Sequence, residues 1–447
     1  MFQTFRNAWK IDDLRKKIIF TLMILLIFRL GAAIVVPFID ATVLSAGLSA
    51  EGTIYNFFDL MTGGSFSNAT LFALGVTPYI NASIIIQLLQ IVIPALERWS
   101  KEGEEGRNKI NKVTRYSAIG ISLLLSFVYY LLVKNQGALL YTDGFEGVFS
   151  AIVIVMSFTA GTVLLMWLGE QIDSKGIGNG ISLIIFTGII AGLISAFAQI
   201  VTYFKVASGT YEQNGAAVPA QPIYYVLVPL IILMFAGMFL LIITVNAAER
   251  RIPVQYAKRV VGRKMYGGQS TNIPIKVNMT GVLPVIFASA FLSVPGTIKD
   301  FFQINTGFWG TFLGWFKTSG WGYAILYALL ILGFNYFYTA VQYNPVEIAN
   351  NLRKNSGTIP GIRPGKPTSD FIARVVSKIT FIGGVFLILV ATLPIVITNI
   401  TAGILEGQGI NISLGGTSVL IIVGVALEIS NTLESYMLMR HHKGFLE

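Results

Sequence analysis

Apolar residues in this chain gather into long unbroken runs parted by short polar segments, and that spacing sets the first expectation. Hydrocarbon about 30 Å thick takes about 20 apolar residues in helical form. Ten runs are long enough: residues 18–37, 71–96, 116–133, 147–168, 181–203, 223–245, 279–297, 322–341, 379–397 and 416–438. The pattern predicts an all-α integral membrane protein with ten transmembrane helices. A further apolar, helix-patterned stretch, residues 54–64, is too short to cross and ends in Gly63-Gly64. Two placements fit it: a helix lying in the outer interface, or a re-entrant segment folded back into a protein-lined cavity.

The polar segments set orientation. With the N-terminus taken as cytoplasmic, 27 of the 32 Lys and Arg fall in inward segments, four in outward ones, and Arg29 lies within the first span. Basic loops are retained on the cytoplasmic side, so both termini are expected there. The first span follows Arg15-Lys16-Lys17, but its length and the nine runs after it read as a retained helix, not a cleaved signal. An external linker at 205–222 divides the chain into 1–204 and 223–447, with five runs in each. Five is odd, so if the halves share a fold the second must be inverted, an architecture that places a functional site near the midplane.

Composition narrows the chemistry. The chain of 447 residues is 54% hydrophobic and 12% charged, outside the range of soluble domains. It has no cysteine, and its two histidines, His441 and His442, sit side by side near the C-terminus. Thiolate, metal and histidine catalysis are therefore not expected. Ionisable residues within the spans are few: Arg29, Glu428 and Glu434, all near an interface. Ion-coupled transporters need such groups at depth. The segment Gly361 to Thr368 lacks phosphate-loop spacing and carries Pro367, and Gly176-Ile177-Gly178-Asn179-Gly180 lacks the dinucleotide spacing. Any driving energy is expected from a partner or a membrane gradient.

Other features stand out. The second span holds Thr77-Pro78 and the polar row Asn81, Ser83, Gln87 and Gln90, with Ser83, Gln87 and Gln90 on one helical face. Such a face either bonds a neighbouring helix or lines a cleft. The seventh span begins after Asn278 and carries Pro284 and Pro295, which suits a moving element. Inward segments 246–278 and 342–378 together hold 13 Lys and Arg, and Pro253, Pro274, Pro360, Pro364 and Pro367 stiffen them. A solvated face accounts for charge alone; the length and stiffness better fit a docking surface for an acidic partner such as RNA or an acidic protein.

These residues resemble the SecY family over nearly the whole chain. The motifs are the stretch Ala73 to Leu89, Lys101-Glu102-Gly103-Glu104, Met166 to Ile172, Gly176 to Ser182, Gln269-Ser270-Thr271 with Lys276-Val277-Asn278-Met279, and Pro360 to Gly365. The resemblance implies the SecY fold: two inverted five-helix halves around an hourglass pore, with a short re-entrant plug helix at about 54–66. It implies a pore ring of Val76, Ile80, Ile181, Ile185, Ile286 and Ile421, Val76 standing where the family usually favours isoleucine. It assigns Ile54, Phe57, Phe58, Leu60, Met61, Gly63 and Gly64 to the plug, and Gln87 with Asn278 to a lateral gate. An apolar ring offers ions no substitute for hydration and dewets when narrow.

The same resemblance implies a passive channel in the bacterial cytoplasmic membrane, with no catalytic residue, cofactor or metal. It would pass unfolded preproteins outward and release transmembrane segments sideways into lipid. Arg250, Arg251, Lys258, Arg259 and Arg363 would dock the motor ATPase SecA or the ribosome. SecE and SecG would brace the halves as SecYEG, and signal sequences and membrane lipids would meet at the gate. Two rival readings remain: a secondary transporter with a midplane site, and a non-conducting scaffold or insertase.

Overall fold

The computed structural model describes residues 2–48, 59, 61–213, 216–217, 221–256, 259–261, 264–266, 270–302, 307–315, 320–404 and 415–443. Its helices are α1 (Phe2–Trp9), α2 (Asp12–Gly31), α3 (Ala41–Leu48), α4 (Thr77–Val92), α5 (Pro94–Lys101), α6 (Glu104–Asn135), α7 (Gly144–Lys175), α8 (Gly180–Ala207), α9 (Tyr224–Ala247), α10 (Leu283–Phe302), α11 (Gly307–Gly314), α12 (Trp321–Gln342), α13 (Pro345–Lys354), α14 (Lys366–Ile404) and α15 (Gly416–Lys443). The strands are β1 (Glu212–Gln213), β2 (Ala216–Ala217), β3 (Glu249–Tyr256), β4 (Arg259–Val261), β5 (Lys264–Tyr266), β6 (Ser270–Lys276) and β7 (Gly357–Thr358).

Among the described residues, seven helices are long and apolar enough to cross a bilayer, or eight if the bent pair α4 and α5 counts as one span. The shortfall against ten expected runs has physical causes. Helix α2 is 20 residues long, but Asp12, Asp13, Arg15, Lys16, Lys17 and Arg29 break its apolar window. The run at 71–96 is not one helix: residues 71–76 are irregular, Pro78 opens α4, and Pro94 bends the path by 100°, because proline removes a backbone donor and clashes with the preceding turn. Large apolar side chains stay exposed along several helices, among them Ile194 at 76% and Leu233 at 72%. Lipid, not water, suits such a surface.

The chain divides into two compact units. One comprises residues 1–224, 293–319 and 411–447, the other 225–292 and 320–410, with a boundary inside α10 just before Pro295. In the first unit α4 packs along α6, α6 along α7, α7 along α8, and α8 along α15, while α2 lies against α7 and α8. Backbones approach closely where glycine permits. A Cβ on Gly180 would lie 2.0 Å from the Gly169 carbonyl oxygen, and one on Gly161 equally close to that of Leu71.

The second unit pairs α12 with α14 and carries an antiparallel sheet in the order β6-β3-β7. Sequence patterning had not suggested strands here, because Pro253 and Pro274 interrupt two basic segments. The register sets Ile252 opposite Ile273 and Arg250 opposite Ile275, with Arg251 opposite Pro274 on the other face. Ile252, Val254 and Ile275 are buried against Leu352, Ile359, Ile372, Val376 and Ile379. Both long basic segments thus fold into one small module around the start of α14. That helix has 39 residues, about 58 Å at 1.5 Å per residue, so its first turns serve the module and the rest is apolar.

Candidate functional site

The approach to α4 is built of tight turns. Gly63, Gly64 and Gly75 take left-handed conformations, which glycine adopts without steric cost. They set Met61 and Thr62 against the wall of the first unit. A crevice lined by Met61, Thr62, Phe28, Gly75, Val76, Ile184 and Ile185 has a void of about 10 Å³, room for at most one water molecule. A Cβ on Gly188 would lie 2.4 Å from the Met61 carbonyl oxygen, so the backbones at Met61 and in α8 touch directly. Of the expected ring, Val76 and Ile185 meet Met61 here. Ile181 packs on Gly169, where an added Cβ would lie 2.8 Å from its Cδ1. Ile80 is half-buried on α4, and Ile421 is buried on α15. Ile286, half-buried on α10, belongs to the second unit.

Of the expected plug, Met61, Gly63 and Gly64 are described, while Ile54, Phe57, Phe58 and Leu60 lie outside the described residues. Asp59, which sequence reasoning passed over, organises the turns at 64–67. Its carboxylate accepts a hydrogen bond from Ser67 N at 2.7 Å and its carbonyl accepts from Gly64 N at 2.9 Å. Burial pushes its pKa up, while hydrogen bonds from Ser67 and Phe66 pull it back. Tyr129 on α6 was missed as well. Its hydroxyl donates to the Phe66 carbonyl at 2.5 Å, and its ring meets Phe66 and Phe158 edge-on, each at 4.8 Å. A tyrosine in an apolar run was the only signal.

The gate candidates have local partners. Gln87 donates to Ser83 Oγ at 3.2 Å, one turn back on α4. Asn278 donates through Nδ2 to Asn246 Oδ1 at 2.8 Å, while its own Oδ1 is buried without a partner. That bond closes the neck of the module, where the chain leaves α9 and returns towards α10. Nearby, Thr280 donates to Asn335 Oδ1 and Asn335 Nδ2 to the Thr380 carbonyl, both at 2.7 Å.

Arg250, Arg251 and Arg363 are exposed on the module. Arg259 lies on the hairpin β4-β5, its side chain outside the described residues with Lys258. The glycine-rich segment before α8 is a structural turn: Asn179 caps α8 by accepting from Ser182 N at 3.0 Å, and Asp173 accepts from Gly180 N at 2.7 Å. Glu170 pairs with Arg115 across α6 and α7 at 2.5 Å.

A many-helix membrane fold in which Met61 and Thr62 close on Val76, Ile184 and Ile185 defines the class of protein, a multi-pass helical membrane protein. The family model described as SecY matches residues 70–430. The protein translocase subunit SecY of Thermotoga maritima is 40% identical over 453 residues, covering 100% of this chain and 98% of its own. A solved structure described as that of a protein conducting channel is similar in fold, with a TM-score of 0.63 at 18% identity, covering 94% of this chain and 92% of that one. Sec61 in the canine ribosome-channel complex gives 0.56 at 17%, covering 94% and 92%. The chain belongs to the SecY family.

Proposed function

We propose that this chain is the channel-forming subunit of a protein translocase, carrying unfolded preproteins outward and releasing transmembrane segments laterally into lipid. Ten spans in two inverted five-helix halves, 1–204 and 223–447 joined by the linker 205–222, surround the pore. The first and seventh spans are α2 and α10, which the apolar-window criterion leaves out. Both termini are cytoplasmic, as the basic loops require. The observation that carries the reading is the seating of Met61 and Thr62 on Val76 and Ile185 around a void of about 10 Å³. Such a contact excludes hydrated ions and, being apolar and unspecific in shape, suits any passing sequence once parted.

The residues take roles from this. Val76, Ile80, Ile181, Ile185, Ile286 and Ile421 form the ring, and 54–66 is the plug. Gln87 and Asn278 supply polar contacts of the lateral gate, through which an apolar signal-sequence core leaves water for lipid. Arg250, Arg251, Lys258, Arg259 and Arg363 present the cytoplasmic docking face to SecA or the ribosome, whose acidic groups they attract. SecE and SecG complete the assembly. The chain supplies passage and gating, and the partner supplies energy.

The test is transit of an unfolded preprotein through the purified complex in liposomes. Arg363→Glu should abolish motor-driven transit, because an exposed side chain changes stability by less than about 0.5 kcal/mol and leaves the protein inserted. Undiminished transit removes the docking role. Flux of a small solute that strictly follows a coupling ion, without preprotein transit, would favour a secondary transporter.

A further inference from the structure

The segment after the plug has two parts with different attachments. Residues 65–71 form a foot bound to the wall: Phe66 is held by Tyr129 and meets its ring edge-on, Val36 N donates to the Ala69 carbonyl at 3.0 Å, and Leu71 N to that of Ile34 at 2.8 Å. Asn68 Nδ2 donates back to the Gly64 carbonyl at 2.7 Å, and Phe66 N donates to Thr62 Oγ1 at 3.2 Å. The bonds to Tyr129, Val36 and Ile34 tie the foot to the wall, whereas the Phe66 N to Thr62 Oγ1 bond crosses from the foot to the plug side. The plug side of the segment joins this foot through Gly63 and Gly64, both left-handed at φ +66° and +87°, a pair with more rotational freedom than any other dipeptide. The longest bridge across that joint is the Asp59 carboxylate, which reaches eight residues ahead to Ser67 N. Arg29 of α2 lies beside the joint, its guanidinium 3.0 Å from where a Cβ on Gly63 would stand.

We propose that Asp59 is a positioning residue, the latch of the plug: its bond to Ser67 N keeps the plug folded onto the foot, and opening turns the plug about Gly63-Gly64 while the foot stays on Tyr129. A carboxylate suits the task because a charge-assisted hydrogen bond is directional and strong in a dry site, yet is replaced by water once the joint opens. Ser65 Oγ is buried at the joint with no partner, so the closed state leaves a polar group unsatisfied, which lowers its advantage over the open one. The proposal rests on reading 54–66 as a plug, and the experiment separates the two.

The chain has no cysteine, so Met61→Cys gives the purified complex a single thiol on the plug side of the joint, and Ala73→Cys gives one beyond the foot. Both positions are buried. Membrane-impermeant maleimide, added from outside to liposomes, reads their exposure. Asp59→Ala should speed labelling at Met61→Cys about 10-fold, the loss expected for a hydrogen bond to a charged group, and leave Ala73→Cys unchanged. Acceleration at both thiols means general loosening and overturns the latch. If the alanine variant fails to assemble, Asp59→Asn, which keeps an acceptor oxygen without charge, should give a smaller acceleration confined to Met61→Cys, and none overturns the proposal. Deleting 57–64 tests the plug itself. Ion leak on deletion with no Asp59 effect rejects the latch alone, and a tight deletion channel rejects both.

Discussion

The segment 61–71 and the module of β3, β6 and β7 are held in place by different kinds of contact. Along residues 61–71, backbone lies on backbone: Met61 against Gly188, Ala69 bonded to Val36, with one hydroxyl from Tyr129 closing the set. In the module, branched side chains fill a core beneath a sheet, with Val254 at 0% and Ile372 at 1% exposure. Hydrogen bonds and van der Waals contact at a glycine are short-ranged and lost together on a small displacement, which suits the proposed role of this segment as a seal. A side-chain core tolerates strain at its surface while its centre stays dry, which suits the proposed role of the module as a docking face.

The largest effect expected to test this contrast is in the module. Ile372→Ala removes a fully buried branched side chain and should cost about 2–4 kcal/mol. Hydrogen exchange at β3 and β6 amides should then quicken while the Phe66 amide is unchanged. Equal acceleration at both would erase the distinction.

Gly188→Val comes next. Its Cβ would stand 2.4 Å from the Met61 carbonyl oxygen, and backbone cannot yield as a side chain does, so overpacking of about 1–3 kcal/mol falls on the plug seat. Single-channel recording should show raised resting conductance with the module's exchange unaltered. A tight channel would mean that close approach does not set the seat.

The smallest effect lies on the outer flank. Asp40 caps α3, accepting from Thr42 N at 2.9 Å, Val43 N at 3.3 Å and Thr42 Oγ1 at 2.6 Å, and these bonds hold its carboxyl below the ordinary range. A folded-state pKa below the unfolded one means the cap contributes at neutral pH and fades as acid titrates through the lowered value. Amide exchange in α3 should quicken only in acid, and Asp40→Asn should remove that dependence. A pH-independent α3 in the parent chain would deny the cap its role.

The apolar runs at 147–168 and 181–203 lie within α7 and α8, and that at 223–245 matches α9 but for its first residue, because hydropathy over 20 residues is a local property that burial hardly modifies. Where local signals conflict, the reading shifts. Residues 71–96 looked continuous by hydropathy, but Pro78 and Pro94 restrict the helix to Thr77–Val92 and turn the chain after it. The strands at 249–256 and 270–276 were illegible because Ile252 and Val254 alternate with Arg251 and Pro253, and proline in such a run argues against a strand until a partner strand is known. Val76, Ile185 and Gly63-Gly64 were legible through family resemblance. Asp59, Tyr129 and Asn246 were not, since nothing in their neighbours along the chain marks a polar group for a distant partner.

By itself, then, the order of residues determined which segments are apolar enough for lipid and the family to which they belong. Only tertiary structure decided that Asp59 meets Ser67, that Tyr129 reaches Phe66 63 positions away, and that strands from two separate basic loops share one core. Transfer from water to hydrocarbon is summed residue by residue along a helix, whereas a hydrogen bond requires two groups to arrive within about 3 Å, and that is settled by how the whole chain packs.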